Sequence, residues 1–139
     1  MKFKIFGHKI ILKIEKGEEL VQTIKKIAAE QDIKLASISG IGAVKNLKVG
    51  SFDVDTKEYH AKELDGCFEV CPLTGNISTM DKKTYLHAHI NACDKDFRSF
   101  GGHLDSAVCS ATFEAIINVI DGEVDRKFSE EIGLNLYEF

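Results

Sequence analysis

KTYLHAHINACD, residues Lys83–Asp94, decides how this chain folds, because its apolar side chains recur at every second position. Successive side chains of a β-strand point to opposite faces. Leu86, Ala88, Ile90 and Ala92 therefore form one row facing a core, while Tyr85, His87, His89 and Asn91 form a polar row on the other side. An amphipathic helix would instead need apolar spacings of three and four.

The same period recurs outward in both directions. KFKIF (Lys2–Phe6) and KIILKI (Lys9–Ile14) flank a Gly7-His8 turn and predict a hairpin. KLASIS (Lys34–Ser39) runs into GIGAV (Gly40–Val44), where Gly40 and Gly42 permit a bend or bulge. VKNLKVGSFDV (Val44–Val54) is a long strand ended by the turn DTKE. YHAKEL (Tyr59–Leu64) precedes an expected turn at Asp65-Gly66. CFEVCPLTGNISTM (Cys67–Met80) is then broken by the chain's one proline, Pro72, which lacks a ladder donor and belongs at an edge or bend. KDFRSFGGHL (Lys95–Leu104) is read as a glycine-containing loop, DSAVCSATFEAIINVID (Asp105–Asp121) as a strand or two, and EIGLNLYEF (Glu131–Phe139) as the final strand.

One stretch breaks the pattern. In GEELVQTIKKIAAEQD (Gly17–Asp32), Leu20, Ile24, Ile27 and Ala28 form a single helical stripe opposite Gln22, Lys25, Lys26 and Glu30. Glu18 and Glu19 suit the positive end of the helix dipole, so a helix is expected from about Glu18 to Gln31. Short antiparallel strands with one principal flanking helix describe an α+β domain, and residues 1–139 are expected to form a single domain.

Composition excludes several function classes. With 18 basic and 22 acidic residues the net charge is −4, which offers no electrostatic footprint for polyanions. Only Arg98 and Arg126 are arginines, and that scarcity opposes direct reading of DNA bases. No apolar run approaches a membrane span, and the opening stretch alternates charge with apolar residues as no export signal does. A cytoplasmic location is expected. Cys67, Cys71, Cys93 and Cys109 are accordingly expected to be free thiols serving as small buried apolar side chains. Gly40-x-Gly42 does not extend to a phosphate-cradling motif, because Lys45 stands where the third glycine is needed.

The histidines carry the most specific chemistry. His87 and His89 lie on one strand face with Cα atoms roughly 7 Å apart, so both imidazoles can reach one cation. A third ligand is available at His103, which follows Gly101 and Gly102, and Asp105 could orient an imidazole from behind. A divalent metal, zinc first, is the expected cofactor. The competing reading of each histidine is a solvated surface side chain, and that reading is adopted for His8 and His60. Glu69 shares a face with Cys67 and Cys71 and could be hydrogen-bonded, placed beside the metal, or simply exposed. Arg98 could hold an anion near the histidines or lie free in solvent.

SGIGAVKNLKVGSFD, GCFEVCPLTGNIS, LHAHI and GGHL, in this order and spacing, resemble the domain named for its occurrence in plants and prokaryotes, the PPC domain. The resemblance covers essentially the whole chain. It implies a mainly antiparallel sheet of about seven strands flanked by helix, assembled as a homotrimer. In plant members a separate AT-hook segment precedes the domain and contacts DNA, and bacterial and archaeal relatives carry a DNA-binding label by that analogy. No AT-hook is present here, so DNA association is expected to be indirect. Plant members read Gly-Arg-Phe-Glu where this chain has Gly66-Cys67-Phe68-Glu69, and they generally lack the three histidines. Metal binding at His87, His89 and His103 is what the prokaryotic branch implies.

Three functions are thus in competition: a trimeric metal-binding protein, a metal-dependent hydrolase acting on a small polar ligand, and a DNA-binding protein. A three-histidine zinc with a free coordination position supports hydrolysis, with Glu69 or Asp105 as candidate general base and Arg98 as candidate anion holder.

Overall fold

The computed structural model describes all residues from Met1 to Phe139. Strands β1 (Lys2–Phe6) and β2 (Lys9–Glu15) form the expected hairpin and lead into helix α1 (Leu20–Glu30). Four long strands follow: β3 (Ala36–Asp53), β4 (Glu58–Met80), β5 (Lys83–Cys93) and β6 (Ser99–Val119). A short hairpin of β7 (Arg126–Ser129) and β8 (Leu134–Tyr137) completes the chain.

All main-sheet pairings are antiparallel, in the order β1-β2-β6-β3-β4-β5. β5 also pairs with the first residues of β6, so β3, β4, β5 and β6 close on one another. A 21-residue β6 makes this possible, pairing with β5 at one end and with β2 at the other. The count is therefore six strands in the main sheet and two in a separate one, rather than about seven in a single sheet.

Two expected breaks are bulges inside continuous strands. Asp65-Gly66 does not reverse the chain: it lies within β4, where two residues oppose the single Asn46 of β3. Gly66 at φ +115° and Asn46 at φ +51° absorb the extra residue locally, so the strand kinks instead of turning. Cys71-Pro72 likewise opposes Ile41 of β3 and Asn91 of β5. Pro72 thus occupies a bend of an internal strand, not an edge, because a bulge needs no ladder donor there.

Inward rows of the strands and the apolar stripe of α1 form one core of 28 residues, with Leu12, Ile24, Ile38, Leu73 and Phe113 fully buried. Each such side chain contributes about 1.5–3 kcal/mol relative to exposure. The helix begins slightly inside the expected range because Glu19 is its cap. The Glu19 carboxylate accepts hydrogen bonds from the backbone N–H groups of Val21 (3.1 Å) and Gln22 (2.6 Å). It also accepts one from Ala107 of β6 (3.1 Å), tying the helix to the sheet.

Candidate metal centre

Two neighbouring strands bring the histidines together. His87 and His89 alternate with buried Leu86, Ala88 and Ile90 along β5, so their imidazoles rise from the outer face of the sheet. His103 does not sit in a loop as expected. Residues 99–104 belong to β6, and His103 is the register partner of His89 on one side and Gly50 on the other. Gly101 and Gly102 are needed for close approach rather than flexibility. A Cβ on Gly102 would lie 2.6 Å from the Gly50 carbonyl oxygen, and one on Gly101 2.9 Å from that of Ile90.

The three rings converge, with centroid separations of 5.3 Å for His87–His89, 5.4 Å for His87–His103 and 5.6 Å for His89–His103. One nitrogen from each lies within 4.8 Å of the others. Tetrahedral zinc with Zn–N bonds of about 2.0–2.1 Å needs nitrogens about 3.3 Å apart, a separation of the same order as the one these rings present. Three imidazoles with no carboxylate among them form a borderline-soft donor set, suited to zinc and similar transition metals and poorly suited to magnesium or calcium. The residues fit such an ion.

Burial favours the neutral form of two of these rings. Burial pushes the His87 imidazole below its usual pKa, helped by His103, Arg126 and His89. Burial does the same to His103, opposed by the Asp105 charge and assisted by His89 and Lys25. Neutral imidazole is the ligating form. Asp105 accepts no hydrogen bond from an imidazole, contrary to expectation; its carboxylate accepts a 2.6 Å hydrogen bond from the Tyr59 hydroxyl instead. The Tyr59 ring meets His103 edge-on at 6.3 Å. Burial and Asp105 both raise the Tyr59 pKa, so the phenol keeps its proton. Gly50 makes room for it, since a Cβ there would fall 1.9 Å from the Tyr59 hydroxyl.

The rings open into a cavity of about 340 Å³, walled by Phe52 and Tyr59 on one side and by Leu134, Asn135 and Leu136 of β8 on another. Arg126, from β7, completes it. Its guanidinium donates to Ser78 Oγ (2.9 Å), the Asn135 carbonyl (2.8 Å) and Asn76 Oδ1 (2.9 Å). It lies between the rings of Tyr85 and Tyr137, 4.8 and 4.2 Å from their centroids. Reading the sequence did not single out Tyr59 or Arg126. Arg126 stands out only by the rarity of arginine, and nothing in its neighbourhood marks Tyr59.

The remaining candidates lie elsewhere. Glu69 is exposed and pairs in register with Cys93, four residues along β5 from His89, roughly 13 Å at strand rise. Arg98 is held by Asp94 (2.7 Å) and Asp96 (3.3 Å), and with them lines a different surface cavity. Neither touches the histidines. His8 falls in the β1–β2 turn and His60 on exposed β4, as expected. All four cysteines are free, but only Cys109 is fully buried; Cys67 and Cys71 occupy the outward row of β4 and are exposed.

A curled antiparallel sheet carrying three convergent histidines beneath a terminal hairpin defines the class of this protein. The chain belongs to the Plants and Prokaryotes Conserved (PCC) domain family, whose model matches residues 1–121. It is similar to a "putative DNA binding protein" of Bacteroides thetaiotaomicron, with 34% identity, 99% of this chain and 96% of that one covered, and a TM-score of 0.97. A plant- and prokaryote-conserved protein of Pyrococcus horikoshii shares 32% identity over 99% and 95% of the two chains, with a TM-score of 0.88. A metal-containing protein of Archaeoglobus fulgidus shares 35% identity over 99% and 97%, also at 0.88. Among curated proteins, none matches this chain.

Proposed function

We propose that this protein binds one divalent transition metal, zinc first, through His87, His89 and His103, within a single domain of residues 1–139. The observation that carries this reading is the meeting of three imidazole nitrogens within 4.8 Å on a face with no competing carboxylate. The metal-containing relative from Archaeoglobus fulgidus supports it. Metal analysis of the purified protein and of His89→Ala tests it: loss of the ion in the variant is expected, and a metal-free wild type that takes up no zinc would refute it.

The assembly in this reading is a homotrimer in the cytoplasm, where thiols stay reduced. Ile11 and Ile116 face each other across β2 and β6 on the outer face and are 43% and 44% exposed, with Ile41 nearby on β3 at 60%. Such a stripe is suited to burial against another copy. No helix is long and apolar enough to cross a membrane.

DNA binding comes from the names of relatives. With a net charge of −4, association with DNA is assigned to a partner carrying the basic segment rather than to this surface. Hydrolysis remains the second reading, favoured by the cavity beside the rings. The ion would supply Lewis-acid polarisation there. Glu69 and Arg98 take no part, and Asp105 acts only through Tyr59. Ester and lactone turnover by the zinc-loaded protein, abolished in His87→Ala, is the corresponding test.

A further inference from the structure

Arg126 is 7% exposed and has no acidic partner: no carboxylate lies within 4.0 Å of its guanidinium. Its three hydrogen-bond acceptors, a hydroxyl, an amide oxygen and a backbone carbonyl, are all neutral. They use three of the five N–H donors of the guanidinium. Two tyrosine rings cover its faces, which solvates the charge without neutralising it. Buried charges are normally paired, so an unneutralised guanidinium in a cavity wall calls for an anion.

The rest of the wall agrees. It contains three imidazoles and no aspartate or glutamate. Asp105, the acidic group whose charge reaches His103, is engaged by the Tyr59 hydroxyl. Three neutral imidazoles would leave the full charge of a bound divalent ion, which adds to that of Arg126. Phe52, Leu134 and Leu136 make the remaining wall apolar. Arg126 and β8 lie beyond residue 121, where the family match ends, so the cap over the histidines comes from the part of the chain that match does not include.

We infer that the cavity binds a small organic carboxylate: its charge faces Arg126, a neighbouring oxygen reaches the metal, and a short apolar remainder packs on Phe52, Leu134 and Leu136. A planar carboxylate matches the two free donors of the guanidinium fork. The inference deepens the metal reading and rests on it for the second oxygen only.

Calorimetric titration of the full-length, zinc-loaded protein with 2-hydroxy-4-methylpentanoate, its uncharged amide and inorganic phosphate tests this. The acid is expected to bind and the amide to bind roughly 30-fold or more weakly, because the buried cation is left unpaired. Arg126→Met should reduce acid binding to the level of the amide while zinc content stays unchanged. The acid–amide comparison on wild type needs no variant and survives any folding defect of Arg126→Met. Equal binding of acid and amide, no binding of either, or tight binding of phosphate alone would overturn the inference while leaving zinc binding intact. If wild type takes up no zinc, the metal reading fails instead. The carboxylate is then judged on the same acid–amide difference in metal-free protein, where Arg126 alone must produce it.

Discussion

His103 lies directly across the β5–β6 ladder from His89, although fourteen positions separate them in the chain. Directly opposed residues of an antiparallel pair have Cβ atoms about 4.5–5.5 Å apart, which is why their rings meet at 5.6 Å. His87 joins from two residues along β5, so the triangle needs only one ladder contact to form.

Removing one corner of that triangle should release the ion. His89→Ala and His103→Ala are each expected to lower zinc content from about one per chain to below about a tenth, since two imidazoles leave the ion's coordination incomplete. Both side chains point away from the core, so thermal stability of the metal-free variants should stay close to wild type. Elemental analysis alongside thermal melts reads both quantities, and retained zinc in either variant would remove that histidine from the site.

Acid should displace the metal, but later than ordinary histidines imply. His87 and His103 have pKa values held below the usual imidazole value, so protons compete with the ion only at lower pH. Zinc uptake is expected to persist near pH 6.5 and to fall below about pH 6. For the metal-free fold the sign is the same: these groups bind protons more readily when unfolded. Their contribution to stability is present above about pH 6.5 and is lost as pH falls through the depressed folded values. Zinc titrations and urea melts across pH 5 to 7.5 measure the two effects, and occupancy that rises on acidification would contradict the assignment.

Gly50→Ala places a methyl group where the Tyr59 hydroxyl now sits. Overpacking of this kind costs about 1–3 kcal/mol. The displaced Tyr59 also gives up its bond to Asp105 and its edge contact with His103. Denaturant melts should show the loss, whereas Tyr59→Phe, which keeps the ring and removes only the hydroxyl, should cost less. Unchanged stability of Gly50→Ala would mean that the ring moves aside freely.

Glu19→Ala removes the helix cap and its link to Ala107. A cap lost this way costs about 0.5–2 kcal/mol, and the bond to β6 places the change toward the upper end. Glu19→Gln, which keeps an acceptor oxygen, should recover part of it in the same melts.

Ile116→Glu puts a charge on the apolar stripe that includes Ile11. Light scattering of wild type is expected to give about three times the 15.4 kDa of one chain, and the variant should shift toward a single chain. A wild-type mass of one chain would end the trimer assignment.

The legible parts of this protein were those with a local cause. Period two along Leu86–Ala92 placed β5 and its inward row, and the stripe Leu20–Ala28 placed α1 to within two residues. Asp65-Gly66 misled because a glycine with positive φ serves a bulge as well as a turn, and the choice depends on which strand lies opposite. Gly101-Gly102 misled similarly: glycine suggests a loop, yet here the absence of side chains lets β6 pass close to Gly50 and Ile90. Arg126 carried no local signal, since its partners Asn76 and Ser78 are about fifty residues away.

Sequence alone determined the inward row of β5, where the one long helix forms and which stripe of it is buried, and that three imidazoles were available as donors, because side-chain alternation and helical spacing are properties of neighbouring residues. Tertiary structure decided the register that joins His103 to His89, the bulges that keep β4 continuous, and the hairpin that brings Arg126 over the rings. Those features depend on pairings between distant segments, whose alignment is set by packing of the whole core rather than by any one stretch.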